Sequence, residues 1–297
     1  MVHSGTTKYI GRFAPSPTGP LHYGSLVAAV ASFLDAKHNQ GLWLLRIEDL
    51  DPPRESEQAP AEIMRQLEAY SLEWDGDVLY QSTRLDDYRA VLGSIHEHTF
   101  ACTCTRKSTP AVYPGTCREK GIQETKEQPV AIRLRVPDES LGIKDLICGN
   151  LTWSLEHEVG DFIIRRKDGL FAYQLAVVVD DIYQDITHIV RGRDLLDSTP
   201  RQLALYRALG HDVPSYAHLP IVVDQHQVKL SKQAHARAIP TDDPLGVLKA
   251  VLSQLGQEVP DADTVTDLLE AAIQNWDIHA VTGEPELPEP SGIHAAE

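Results

Sequence analysis

Apolar residues in this chain fall in short runs, separated by loops and by stretches with helical spacing. Residues 8–14 (KYIGRFA) read as a first strand, a Pro and Gly loop over 15–20 follows, and the spacing predicts a helix over 26–37. Residues 41–47 (GLWLLRI) are an uncharged apolar run up to Arg46, suited to a buried parallel strand, and 61–70 have helical spacing. Strand, loop, helix and strand in this order predict an α/β sheet of the doubly wound type.

Around Cys102 the alternation breaks into a loop bearing cysteines. Strands are predicted beyond it at 130–136 and 146–155, as part of an inserted module that splits the sheet domain. Sheet-like segments resume at 161–165 and 176–179, and 218–224 (HLPIVVD) is another buried strand leading into a loop over 225–236. Helices are expected at 245–255 and 265–275, and a mobile tail from 283 onward, rich in Pro and Glu. The expected organisation is a first half of the sheet domain at 1–98, an insertion at 99–160, a second half at 161–240 and a short acidic helical segment with its tail at 241–297.

With 297 residues, 42% hydrophobic and 24% charged, the chain has the composition of a folded globular protein with room for about two domains. The N-terminus carries no secretory or transit pattern, and no stretch of about 18 uncharged apolar residues occurs, so a cytoplasmic protein without a membrane partner is expected. The net charge of -16 argues at first against a nucleic-acid partner. From 241 onward, however, twelve Asp and Glu face Lys249 alone, so that segment carries -11 and the first 240 residues only -5. Arg165, Arg166, Lys167, Arg191 and Arg193 then offer a local basic face for an RNA backbone.

Candidate chemistry lies in two loops. In the first, His22-Tyr-Gly-Ser25 sits where a helix begins: free backbone N–H groups, a Gly permitting close approach and an imidazole donor suit a phosphate. In the second, Lys229-Leu-Ser-Lys232 follows a strand and supplies cations for a leaving pyrophosphate. Taken alone, the first is better explained as a structural or incidental loop and the second as a solvated surface loop.

Together they resemble the HIGH and KMSKS signatures of class I aminoacyl-tRNA synthetases. The stretches Arg12 to His22, Arg46 to Asp51 and Ile189 to Leu195 are similar to the glutamyl branch of that family, and the resemblance runs from about Tyr9 to Lys232. Tyr23, Ser25, Leu230 and Gln233 depart from the signatures, while His22, Gly24, Lys229 and Lys232 remain. The resemblance implies a Rossmann-type parallel sheet split by a zinc-bearing insertion, ATP-dependent activation of L-glutamate, and Mg2+ accompanying ATP. It implies His22, Lys229 and Lys232 as catalytic residues, and His22, Gly24, Lys229, Ser231 and Lys232 at ATP. It also implies a glutamate pocket of Arg12, Ala14, Ser16, Glu48, Tyr173 and Arg191. Chemically, Glu48 suits the ammonium group, and arginine forks suit carboxylates.

Cys102, Cys104 and Cys117 lie within sixteen positions and suggest a structural zinc; Cys148 reads as a buried thiol. The fourth ligand is open between Tyr113, which the resemblance favours, and the upstream His96 or His98. The acidic segment after Lys232 is too short for an anticodon-reading domain. The resemblance therefore points to the stand-alone branch, which attaches glutamate to the queuosine base of tRNA(Asp); a monomer is expected. A glutamylating enzyme that charges a tRNA 3′ end and a non-catalytic binding relative are the alternatives.

Overall fold

The structure is a computed structural model that describes residues 8–105, 107, 109–230 and 237–290. Strand β1 (Ile10–Phe13) leads through the Pro and Gly loop into helix α1 (Tyr23–His38), which starts three residues earlier than its spacing predicts because His22 serves as its N-cap. Strand β2 (Leu42–Ile47) returns parallel to β1, with Ile10 opposite Leu42 and Phe13 opposite Leu45. Helix α2 (Ala59–Ala69) and the short strand β3 (Leu79–Tyr80), parallel to β2, complete this unit, and α3 (Leu85–Ser94) leaves it. Strand β4 (Thr99–Cys102) then enters an antiparallel region with β5 (Ala131–Leu134). It includes the hairpin of β6 (Ser140–Asp145) and β7 (Gly149–Ser154), and ends with β8 (Phe162–Arg165), paired with β5.

The parallel sheet resumes after α4 (Tyr173–Tyr183), with β9 (His188–Gly192), α5 (Thr199–Leu209) and β10 (Ser215–Leu219). Strand β9 lies beside β1, joined through Thr187: its N–H donates to Ile10 O (2.9 Å), and its hydroxyl accepts from Ile10 N (2.8 Å). Strands β9 and β10 are parallel, and their register sets Arg191 next to His218. After Pro220 the chain continues as β11 (Ile221–Val223), and the C-terminal part adds α6 (Pro244–Gln254), α7 (Val265–Asn275) and β12 (Glu286–Pro288).

Three expectations are corrected. Residues 176–179 are not sheet-like: they form the buried face of α4, because an uninterrupted apolar run inside a covered helix looks the same as one in a covered strand. Residues 146–155 form a hairpin turn and one strand, the break falling at Asp145 to Gly149, where Gly149 takes a φ of 77°. The tail expected to be mobile from 283 carries β12, which runs parallel to β11 with Ile221 opposite Glu286, so at least 286–288 are docked on the sheet.

The largest core, from Tyr9 to Val281, takes side chains from α1, β2 and α2 together with Leu248, Val251, Leu252, Leu268 and Trp276 of the C-terminal part. Asp35, buried within α1, accepts from Tyr9 Oη and from Trp276 Nε1 (2.9 Å), which fixes the acidic segment to the first helix. A second core joins Leu134, Val136, Leu155 and Phe162 to α4 and α5. No helix of the described residues is long and apolar enough to cross a membrane.

Candidate active site

The C-terminal ends of β1, β2 and β9 open on one cavity of about 630 Å³, as ligand sites do in parallel α/β sheets. Arg12, Ala14, Ser16, Glu48, Tyr173 and Arg191 all line it, together with His22, Gly24 and Lys229. Sequence reasoning thus assembles one site from residues up to 217 positions apart, counted from Arg12 to Lys229. Ser231, Lys232 and Gln233 lie outside the described residues.

On one wall the guanidinium of Arg12 donates through Nε and Nη2 to the two carboxylate oxygens of Asp181 (3.0 and 3.4 Å). Arg46 pairs with the same carboxylate (2.8 Å) and lies 3.5 Å from Glu48 Oε1. Burial would drive the Asp181 pKa up, but the adjacent Arg12 and Arg46 outweigh it and hold the group below the usual range. Burial likewise disfavours charge on Arg12, and Asp181 more than offsets that. Glu48 is in a different balance: burial pushes its pKa up to about 7 despite Arg46 and Arg12, so the carboxylate awaits a further cation.

Arg191 is held through three nitrogens. Its Nε donates to His218 Nε2 (3.1 Å), Nη1 to Gln202 Oε1 (2.8 Å), and Nη2 to Thr199 Oγ1 (2.8 Å) and weakly to Leu195 O (3.4 Å). Behind it, His218 Nδ1 meets Asp145 Oδ2 at 2.6 Å. Arg191 is only 4% exposed, so it is removed from the basic RNA face in which the sequence grouped it. Arg165 is paired with Glu124, Arg166 with Asp168, Lys167 donates to Thr103 O, and Arg193 donates to Gly283 O.

The nucleotide end is built on the start of α1. Ser25 N donates to His22 Nδ1 (3.3 Å), leaving Nε2–H toward Ser25 Oγ (3.1 Å). A Cβ at Gly24 would come 3.3 Å from His22 Cε1, so the glycine makes room for the ring. Lys229 reaches over the mouth to Asp194 Oδ2 (2.5 Å), whose carboxylate lies so close to Gly192 that a Cβ there would meet it at 2.4 Å. Strand β11, which supplies Ile221 and Val222 to the cavity wall, is followed by a turn over 224–228 that brings Lys229 back beside Val223, and it pairs with β12.

The cysteines also converge. Cys102, Cys104 and Cys117 place their sulfurs within 4.8 Å of one another, with Cys104 and Cys117 3.6 Å apart. Tyr113 Oη stands 3.5 Å from Cys102 Sγ and 3.6 Å from Cys104 Sγ. The edges of a tetrahedron with Zn–S near 2.3 Å and Zn–O near 2.0 Å are about 3.8 and 3.5 Å, so these donors fit one metal ion. No histidine belongs to this cluster among the described residues, and His96 faces Gly93 O instead. Burial raises the Cys117 thiol, but hydrogen bonds, chiefly with Tyr113, bring it down to about 6, toward the thiolate a metal requires.

Sequence reasoning missed the residues that hold the pocket residues: Asp181, His218, Asp145, Gln202 and Thr199. One signal was present, since an acidic pair, Asp180-Asp181, interrupts an otherwise apolar run that the cores bury.

The family model for the catalytic domain of class I tRNA synthetases (E and Q) matches residues 8–110 and 113–256. A protein of Shigella flexneri named glutamyl-Q tRNA(Asp) synthetase is 48% identical over 283 residues, covering 93% of this chain and 91% of its own length. One of the same name from Pseudomonas fluorescens is 46% identical over 297 residues, covering 97% of this chain and 99% of its own. Among solved structures, a glutamate tRNA ligase from Elizabethkingia meningosepticum, in complex with its amino acid, superposes with a TM-score of 0.81 at 26% identity. The match covers 94% of this chain and 66% of that one.

Proposed function

Because the chain belongs to the class I tRNA synthetases for glutamate and glutamine, we propose that it activates L-glutamate with ATP in the absence of RNA. It then transfers the glutamate to the queuosine base at the wobble position of tRNA(Asp). One observation supports the first half: the expected glutamate residues and three of the expected nucleotide residues, His22, Gly24 and Lys229, line a single cavity. The names and lengths of the Shigella flexneri and Pseudomonas fluorescens relatives carry the second.

In this reading Glu48, with its raised pKa, takes the ammonium group of glutamate, and Arg12 and Arg191 take carboxylates. Arg12 keeps its Nη1 edge for substrate, because Nε and Nη2 are bound to Asp181. The substrate carboxylate attacks the α-phosphorus of ATP and pyrophosphate leaves. The negative charge that grows on both is met by His22, the free N–H groups of α1, Lys229 and Lys232. Magnesium bound with ATP supplies further neutralisation of the phosphates. Cys102, Cys104, Cys117 and Tyr113 hold one structural zinc, distant in role from the chemistry.

The test has two steps. ATP–pyrophosphate exchange with glutamate and no RNA should exceed that of a Lys232→Ala control; equal rates would overturn the activation step. Labelled glutamate should then pass to tRNA carrying queuosine and not to queuosine-free tRNA. Equal labelling of both would replace the base acceptor with the 3′ end.

A further inference from the structure

Arg12 and Arg191 face one cavity but are neutralised differently. Arg12 and Arg46 share the Asp181 carboxylate. Arg191 is equally buried, yet every partner of its guanidinium among the described residues is neutral: an imidazole nitrogen, a carboxamide oxygen, a hydroxyl and a peptide carbonyl. A buried cation without an adjacent anion is costly unless a ligand supplies the anion.

The neutral state of this shell depends on His218. The ring is fully buried, stacked on Tyr216 (5.6 Å between centroids), and Asp145 Oδ2 accepts a hydrogen bond from its Nδ1–H at 2.6 Å. Nε2 is therefore the lone-pair nitrogen, and it is the one that Arg191 Nε–H reaches at 3.1 Å; Thr199 Oγ1 lies at the same distance from it. Asp145 is itself fixed at the turn between β6 and β7, accepting from Ile147 N (3.0 Å), Cys148 N (2.8 Å) and His218 N (3.2 Å). The parallel register of β9 and β10, which sets Arg191 beside His218, aligns the whole row.

We propose that His218, locked by Asp145 in the Nδ1–H tautomer, is a positioning residue for Arg191: it orients the guanidinium through a neutral acceptor and so keeps its charge for an anionic group of the substrate. An anionic residue at 218 would neutralise Arg191, and a protonated imidazole would present a donor to a donor and a cation to a cation. The groups facing the ring are Asp145, Arg191, Thr199 and Tyr216, with Asp194 further off, and burial and Arg191 lower the imidazole pKa against the opposing pull of Asp145. The inference rests on glutamate being the substrate of this cavity.

Two variants of similar size separate orientation from packing. His218→Leu removes the acceptor, and His218→Gln returns one. In ATP–pyrophosphate exchange the leucine variant should raise the KM for glutamate by about tenfold or more, with the KM for ATP within about twofold, as expected for loss of one hydrogen bond to a charged group. The glutamine variant should recover most of that loss. An unchanged glutamate KM in the leucine variant, or equal rises for glutamate and ATP, overturns the proposal. Should the leucine variant not fold, nitrogen NMR of the histidines in the wild-type protein decides, with His218 identified by its loss in the glutamine variant. A protonated Nδ1 and a bare Nε2, unchanged between pH 6 and 8, is the expected result; a proton on Nε2 overturns it. A wild-type enzyme with no exchange on glutamate would refute the substrate reading instead, while the NMR result would still report on the tautomer.

Discussion

The pocket proposed for glutamate and the cysteine cluster both hold polar side chains in fixed positions, and they do so by opposite means. In the pocket the fixing is internal: Asp181 bridges two arginines, and His218, Gln202 and Thr199 surround a third, with Asp145 behind His218, all of them buried. Around the cysteines there is little core to do this. Cys102, Tyr113 and Cys117 are the buried members of their cluster, with Phe100, Cys104 and Ile122 packed against them. A region with so small a core would gain stability from a metal held by its cysteines, whereas a region surrounded by core can support a network of charges.

The largest effect should come from breaking the pocket's own anchor. Asp181→Ala leaves Arg12 and Arg46 buried without their shared anion, a change that costs about 3–5 kcal/mol in comparable cases. Glutamate-dependent exchange should fall by roughly a thousandfold, and thermal unfolding should shift down by roughly 10 °C. Retention of wild-type exchange would show that the arginines are held by something other than this carboxylate.

Next in size is the metal. Protein purified without added zinc should contain one zinc per chain, and replacing Cys102, Cys104 and Cys117 together by Ser should abolish it and lower the unfolding temperature by roughly 10 °C. In the folded fraction the KM for glutamate should change by less than about threefold, since no cysteine lines the cavity. Metal content near zero, or a glutamate KM that rises as steeply as in the Asp181 variant, would erase the contrast between the two regions.

How much of this was legible in the sequence follows the same division. The residues proposed to meet ligands stand in distinctive local patterns, Arg12 and Arg191 inside strands β1 and β9 and His22, Glu48 and Lys229 in the loops that follow strands, so they could be found one by one, and all five line one cavity. The cysteines announce themselves by chemistry and spacing. Their supports do not: Asp145, His218 and Thr199 are ordinary polar residues whose role depends on strand register, which pairs Arg191 with His218 only once β9 and β10 are aligned. The error at 176–179 has the same origin, for an apolar run covered on all sides carries no period by which to tell helix from strand. The docking of β12 was hidden because Pro and Glu content signals exposure, while pairing with β11 uses the backbone.

A third prediction concerns pH and belongs to the pocket alone. Glu48 must be ionised to receive an ammonium group, and burial has raised its pKa to about 7. Below that value each unit of pH should lower kcat/KM for glutamate about tenfold, while above it this group imposes no further change. The KM for ATP should not follow the same limb. A flat glutamate profile down to pH 6 would assign the ammonium to another residue.

The smallest effect tests how finely the nucleotide end is fitted. Gly24 lies in the first turn of α1, where alanine is the better helix former by about 0.5–1 kcal/mol, so on propensity alone Gly24→Ala should stabilise the protein. The added Cβ, however, would lie 3.3 Å from Cε1 and 3.4 Å from Nδ1 of His22, tighter than an ordinary contact, with Val222 at 3.7 Å on the other side. The ring is held by Ser25 through both nitrogens, so it can move only by lengthening those bonds. The two terms therefore act on different observables. Unfolding should be unchanged or shifted slightly upward, while the KM for ATP rises by about two- to fivefold and the KM for glutamate stays put, because Arg12 and Arg191 are untouched. An alanine variant that binds ATP as the wild type does would mean that the imidazole position is not critical, and the role of His22 at the phosphates would then pass to the N–H groups of α1.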